Sequence, residues 1–218
     1  PRPIIALAPM AGVTDEAFRR ICRRYGADVV YNEMISSFAL HYNDKKTLRM
    51  LRFANEEHPI VCQLMGNQAT MFPQAVKKIF DAGFDGVDIN FGCPAKKIAG
   101  DGGGVALMRD LPKCREIIEH TLESAKGKPV SLKIRRSINK KKDTSGNIID
   151  QSPMSRDPST VTAIDFMEYV RDLPIAAVMI HGRSYEHPFD EDIDYAMIRK
   201  IVDCMPCPVL GNGGIRTP

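Results

Sequence analysis

Tryptophan is absent from the 218 residues, and aromatic residues of all kinds make up only 7% of them. No apolar run approaches the roughly 20 residues that a membrane-spanning helix needs, and no signal peptide opens the sequence. A cytoplasmic protein with no membrane partner is therefore expected. Charge of one sign is also lacking: the formal net charge is only +3, too mild to point to nucleic acid by itself. Nor is there a cluster of cysteine and histidine with metal-ligand spacing. Cys204 and Cys207 form a C-x-x-C, but no second pair joins them, so no metal is expected.

What the sequence has is a 44% hydrophobic content rich in Val, Ile, Leu, Met and Ala, enough for one sizeable core. Cys22, Cys62 and Cys114 fall within apolar periodic segments and read as small core residues. Basic charge gathers locally at Arg135, Arg136 and Lys140 to Lys142. A solvated loop and a phosphate-contacting surface both account for that run.

Short apolar runs alternate with helical patterns throughout. The runs are IIALAPM (4–10), DVVYNEM (28–34), IVCQLMG (60–66), GVDINFG (86–92), VSLKIR (130–135), AAVMIHG (176–182) and PVLGNGG (208–214). Between them, Phe18, Ile21, Cys22 and Tyr25 share a helical face starting near Thr14 or Asp15 and stopping at Gly26. Val76, Ile79 and Phe80 repeat the pattern, and further helices are expected around 112–126, 159–172 and 193–204. Such alternation predicts an α/β fold with parallel strands and right-handed crossovers.

A doubly wound sheet and a (β/α)8 barrel both fit the alternation, and the facing of side chains decides between them. Side chains alternate across a strand, so Gln63, Asn90, Lys133 and His181 each oppose the apolar residues of their own run. All four lie near the carboxyl end of a strand, on the face away from the helices. A central strand of a doubly wound sheet is apolar on both faces, whereas a barrel builds its site at the carboxyl ends of its strands. A TIM (β/α)8-type barrel over residues 1–218 is expected. Only seven strands are visible, and the sequence stops where another helix should begin, so the barrel reads as incomplete. The polar segment 137–158 reads as a mobile excursion at the rim.

APMAGVTD (8–15), QLMGN (63–67), DINFGCPAKK (88–97), SLKIR (131–135), IHGR (180–183) and GNGGI (211–215) fall at strand ends in that order. Together they resemble the dihydrouridine synthase family, and N-x-G-C-P-x-K-K (90–97) is the most specific piece. The resemblance covers almost the whole chain. It implies a flavoenzyme that reduces specific uridines of tRNA to 5,6-dihydrouridine, with FMN across the barrel mouth and NADPH or NADH as reductant. It also implies an eighth strand and a C-terminal helical domain that this sequence lacks. A monomer is expected.

Carried over residue by residue, the resemblance assigns Pro9, Met10 and Ala11 to flavin contacts. Gln63 and Lys133 would address the polar edge of the ring, with His181 supporting the ring or its phosphate side. Asn212, Gly213 and Gly214 would cradle phosphate through backbone N–H groups. Asn90, Arg183, Lys96 and Lys97 are the substrate-side candidates. Cys93 is the candidate catalytic residue. A thiol with an ordinary pKa of ~8.5 is protonated at neutral pH and can donate a proton to C5 of the base. The GDGGGVAL stretch (100–107) reads as an unusually flexible loop. Alone, His181 would read as a core histidine, and Gln63 would carry no message; their shared facing is what joins them. Two other readings fit these residues. One is an FMN barrel of the dihydroorotate dehydrogenase or ene-reductase type acting on a small molecule. The other is an RNA-binding module without turnover.

Overall fold

The computed structural model describes residues 2–149 and 157–215. Its strands are β1 (Ala6–Leu7), β2 (Val29–Tyr31), β3 (Ile35–Ser36), β4 (Ile60–Met65), β5 (Gly86–Phe91), β6 (Val130–Arg135), β7 (Ser137–Asn139), β8 (Thr160–Thr162), β9 (Ala177–His181) and β10 (Val209–Asn212). The helices are α1 (Glu16–Arg24), α2 (Ser37–His41), α3 (Lys45–Arg49), α4 (Phe72–Asp81), α5 (Lys96–Gly100), α6 (Leu111–Ala125), α7 (Ala163–Val170) and α8 (Tyr195–Cys204). All seven apolar runs are strands. They join one sheet in the order β1-β2-β4-β5-β6-β9-β10, with β3 added beside β4. Strand order follows chain order, as winding in one direction requires. A doubly wound sheet would reverse about its first strand.

The chain divides into two compact units, Pro1–Ile89 with His120–Ser131, and Asn90–Glu119 with Leu132–Pro218. In the first unit β1, β2, β4 and the start of β5 pair in parallel, in registers such as Val30 with Ile60 and Gln63 with Asp88. Ile60, Cys62, Leu64 and Val87 are fully buried, as are Phe72, Ala75, Val76 and Ile79 of α4. Burying each large aliphatic or aromatic chain is worth about 1.5–3 kcal/mol. Asp15 caps α1, its side chain accepting from the Phe18 N–H at 2.9 Å.

The expected apolar face of α1 does not form the core. Phe18 and Ile21 are 38% and 50% exposed, Tyr25 is 89% exposed, and Cys22 is only half-buried. Arg19 turns inward instead. Its Nε meets the buried Glu57 carboxylate at 2.5 Å, and its Nη1 donates to the Thr14 carbonyl at 2.8 Å. A charge is buried this deeply only when its partners satisfy it, and here they do.

In the second unit β9 and β10 pair in parallel, Asn212 lying in register with His181. Phe91 and Phe166 are fully buried with ring centroids 5.1 Å apart, and Ile134, Ile138, Val161, Val178 and Ile180 are fully buried as well. The segment after β6 begins as ordered structure. β7 and β8 form an antiparallel ladder, Ser137 opposite Thr162 and Asn139 opposite Thr160. Asp143 closes the visible turn by accepting from the Ser145 and Asn147 N–H groups. Of the predicted excursion, residues 150–156 lie outside the described residues. The helix expected from 159 starts later, because Thr-Val-Thr favours a strand. Thr162 then caps α7, its hydroxyl and N–H both bonded to Asp165.

Among the described residues, no helix is long and apolar enough to cross a membrane.

Candidate functional site

In the first unit, the turn after β1 is held from inside. The Met10 carbonyl accepts from the N–H groups of Val13 and Thr14 at 3.1 and 3.0 Å, and the Met10 N–H donates to Thr14 Oγ1 at 3.1 Å. Gly12, at φ 73°, donates its N–H to Glu33 at 2.6 Å. Only glycine takes that left-handed conformation without strain. Met10 and Ala11 are thereby left exposed, while Pro9 is half-buried. Gln63 is 1% exposed and its amide nitrogen donates to Asp88 at 2.7 Å. Asp88 also accepts from the Ser131 hydroxyl at 2.7 Å, and the Gln63 N–H donates to Asn32 Oδ1 at 3.0 Å. A buried carboxylate is thus shared by a glutamine and a serine.

In the second unit, Asn90 is buried and its Oδ1 accepts from the N–H groups of Gly92 and Cys93, at 3.1 and 2.8 Å. This side chain builds the loop that carries Cys93. The Cys93 carbonyl accepts from Val105 N–H at 3.2 Å. Gly104 sits at φ 56°, and a Cβ there would lie 2.8 Å from the Cys93 carbonyl oxygen. Gly104 is therefore close-packed against the Cys93 loop, and this glycine answers a close approach rather than a need for freedom. Cys93 itself is half-buried, and Lys96 and Lys97 stand exposed in the first turn of α5.

Arg135 was expected within a solvated or phosphate-contacting run, and the structure corrects this. It is 4% exposed, with Nε donating to the Gly92 carbonyl at 3.1 Å and Nη1 to the Ser184 carbonyl at 3.1 Å. Burial lowers its pKa, and the charge of the nearby Cys93, as a thiolate, offsets only part of that. Arg136 is also engaged, with Glu191 at 3.0 Å and Asp194 at 3.5 Å. The signal that finds Arg135 was already present: Ser131, Lys133 and Arg135 alternate, so all three share the face opposite Leu132 and Ile134.

His181 is held neutral, its pKa pushed down to about 3 first by burial and then by the cations Arg135, Lys133 and Arg183. Its Nδ1 accepts a long bond from the Arg183 N–H, 3.4 Å, which assigns the proton to Nε2. Arg183 is fixed by its Nε donating to the Glu191 carbonyl at 2.5 Å. The GNGG turn packs against this imidazole. Gly213 lies at φ 100° and Gly214 at φ 69°, and a Cβ on Gly213 would lie 2.8 Å from His181 Nε2. No protein group among the described residues accepts from the N–H of Gly213 or Gly214. Two unused N–H donors in a glycine turn beside an imidazole N–H, with Lys133, Arg135 and Arg183 around that ring, fit an anionic group such as a phosphate. Cys204 and Cys207 form no disulfide, and no metal-binding cluster occurs among the described residues.

The model of the dihydrouridine synthase (Dus) family matches residues 6–153 and 152–218. The chain is 35% identical over 216 residues to tRNA-dihydrouridine synthase B of Xanthomonas axonopodis pv. citri, covering 99% of this chain and 59% of that protein. It is 33% identical over 214 residues to tRNA-dihydrouridine synthase B of Pseudomonas putida, covering 98% of this chain and 58% of that one. The chain thus spans somewhat under two thirds of these relatives. Among solved structures, the old yellow enzyme from Trypanosoma cruzi matches with a TM-score of 0.65 at 11% identity, over 99% of this chain and 79% of that one. That likeness gives the fold, an α/β barrel of the TIM type.

Proposed function

The chain belongs to the dihydrouridine synthase family, and from that premise we propose that it reduces uridines of tRNA to 5,6-dihydrouridine, with FMN as cofactor and NADPH or NADH as reductant. The observation that carries the chemistry is the framework around Cys93: one asparagine, one arginine and one glycine turn fix the backbone of a single half-buried thiol.

FMN, when bound, supplies the hydride that goes to C6 of the uracil ring. Asn212, Gly213 and Gly214 hold its phosphate through backbone N–H groups, and Arg183 adds charge. His181 donates from Nε2 as a neutral imidazole, and Lys133 offers an ammonium to the negative edge of the ring. From the first unit, Pro9, Met10 and Ala11 supply backbone and side-chain contacts, and Gln63 a carboxamide oriented by Asp88. Asn90 fixes the Cys93 loop, and Lys96 and Lys97 meet phosphates of the RNA.

Cys93 protonates C5. The S–H bond breaks as the C5–H bond forms, leaving a thiolate that the nearby Arg135 guanidinium stabilises until solvent returns the proton. A thiol suits the task, being mostly protonated at neutral pH yet far more acidic than a hydroxyl. Nucleotides in a folded tRNA are packed within the structure, so the target base has to be extruded, and contacts to the surrounding RNA offset that cost of a few kcal/mol.

The test is mass spectrometry of tRNA incubated with the protein, FMN and NADPH, beside free uridine at equal concentration. Dihydrouridine in tRNA, with little product from free uridine, is expected. Equal kcat/KM on free uridine points to a small-molecule ene-reductase, and RNA binding without product points to a module lacking turnover.

A further inference from the structure

Residues 36–52 form a small helical platform in the first unit. β3 pairs Ile35 with Leu64 and Ser36 with Met65, so the chain leaves the sheet at the carboxyl end of β4, two residues from Gln63. Ser36 caps α2, Asn43 turns the chain at φ 59°, and Asp44 caps α3 by accepting from Thr47 N–H at 2.8 Å. Leu40 and Ser37 are buried beneath. Lys78 of α4 donates to the carbonyls of Leu40 and His41, adding to the bond that the Leu40 carbonyl already accepts from the Asn43 N–H at 3.1 Å. The inner side is therefore fully tied down.

The outer side is not. Phe38 and Tyr42 are 54% and 61% exposed, with ring centroids 4.7 Å apart. Lys45, Lys46 and Arg49 follow one and two turns along, all exposed; among the described residues none of the three has a carboxylate within 4 Å, though Lys46 lies near enough to Asp44 to add to the Thr47 hydrogen bonds in lowering its pKa. The acid on this face, Asp44, is engaged in capping, its carboxylate accepting from both the N–H and the hydroxyl of Thr47. Single exposed apolar residues are ordinary. Two aromatic rings side by side, flanked by three exposed cations on an anchored support, match a partner that has both π-faces and regularly spaced negative charge.

We propose that this platform binds unpaired nucleotides of an RNA, Phe38 and Tyr42 stacking on bases while Lys45, Lys46 and Arg49 contact the phosphates. The proposal rests on the tRNA reading above and adds to it a surface for the nucleotides around the reacting uridine. Aromatic stacking tolerates any base, and cations track the backbone, so this surface supplies affinity and placement rather than sequence choice.

Fluorescence anisotropy of labelled tRNA with the FMN-loaded protein, across a salt series, tests it. Phosphate contacts to a single strand each contribute about −0.7 to the log–log salt slope. Lys45→Gln/Lys46→Gln/Arg49→Gln is expected to flatten the slope by ~2 and weaken binding by on the order of 100-fold at 0.1 M salt. Phe38→Ser/Tyr42→Ser is expected to weaken binding about 10-fold or more with the slope unchanged. Lys45→Arg/Lys46→Arg is expected to bind as the parent does. All these side chains are exposed, so the melting temperature and the rate of flavin reduction by NADPH stay unchanged and certify folding. If the parent binds and reduces tRNA while both variant sets bind it with unchanged affinity and slope, this surface is not an RNA contact and the tRNA reading stands. A parent that neither binds nor reduces tRNA sinks the functional reading itself. If Phe38→Ser/Tyr42→Ser instead shifts the sedimentation of the protein alone and leaves RNA binding untouched, the face serves a second copy of the chain and the proposal is overturned.

Discussion

Arg135 reaches the backbone of two loops at once: its Nε donates to the Gly92 carbonyl and its Nη1 to the Ser184 carbonyl, both at 3.1 Å. One buried guanidinium thereby fixes the residue before Cys93 and the residue after Arg183. Arg135→Met leaves both carbonyls unpaired, and each lost bond to a charged donor is worth about 1.5–3 kcal/mol. The variant is expected to melt several degrees lower. Single-turnover reduction of tRNA should fall at least ~10-fold with KM little changed, since transition-state placement rather than binding is lost. Arg135→Lys keeps the charge without the fork and is expected to recover only part of the rate. An unchanged single-turnover rate in Arg135→Met would return this arginine to a purely structural role.

Cys93 and Cys62 separate chemistry from packing. A positioned general acid is typically worth ~10²–10⁴ in rate. Cys93→Ala should lose that much in tRNA reduction while NADPH still reduces the flavin at the parental rate. Cys93→Ser should be nearly as poor, because a hydroxyl is a much weaker acid. Cys62 is fully buried, and burial pushes its thiol pKa up, so it stays protonated at working pH. Cys62→Ala should lower stability by about 1 kcal/mol and leave turnover alone. Stopped-flow flavin reduction and single-turnover tRNA reduction, measured separately, decide the matter.

A methyl group on Gly213 would meet His181 Nε2 at 2.8 Å, from a backbone at φ 100° that side chains rarely adopt. Gly213→Ala is expected to weaken FMN binding by about 10-fold or more, read as recovery of flavin fluorescence on dilution. Gly127→Ala is the control: φ is 83° there too, but nothing lies within 4 Å of the added Cβ. It should cost stability alone. Equal flavin affinity in both variants would remove the GNGG turn from the cofactor site.

His181 gives the pH dependence its sign. Its pKa in the folded protein is about 3, lower than the 6.5 of a free imidazole. Between those values the unfolded chain binds a proton that the folded one refuses, so stability is lost as pH falls from about 6.5 toward 3. One such group contributes at most ~1.4 kcal/mol per pH unit, and less here because the ring is partly solvated. His181→Asn should flatten that part of a urea-denaturation profile taken from pH 7 to 4. Between pH 6 and 8 the imidazole stays neutral and should add no step of its own to the flavin affinity of the parent. The phosphate monoester has its own second pKa near ~6, so only a step near pH 6.5 that disappears in His181→Asn would show that the ring titrates in that range after all.

Much of the barrel was legible because its strands announce themselves. IVCQLM and VSLKIR each keep one face unbroken and apolar, with Gln63 on the other face of the first and Ser131, Lys133 and Arg135 on the other face of the second, and β4 and β6 occupy those residues. The same period could have placed Arg135 beside Lys133, but local density of positive charge suggested a solvated loop. The glycines at 102–104 suggested freedom where the chain needed closeness, because spacing alone does not reveal that the Cys93 carbonyl lies against Gly104. In α1 the periodicity of Phe18, Ile21 and Tyr25 was real, yet the inward position belongs to Arg19. No local pattern shows that Glu57, 38 residues on, supplies its counter-charge. The platform at 36–52 went unseen because its helices have five residues each, too brief to leave a periodic trace.

Lys78 gives that platform an unequal tolerance for change. Because a lysine from α4 secures the carbonyls of Leu40 and His41, the segment's shape does not depend on what Phe38, Tyr42, Lys45, Lys46 or Arg49 are. Descendants of this sequence could exchange those outward residues one by one without refolding the segment, trying new combinations of ring and charge at little risk to the scaffold. A change at Lys78, by contrast, would loosen the whole platform in a single step. Selection on what the surface holds and selection on whether it holds together thus fall on different codons, and drift in the first can outpace drift in the second.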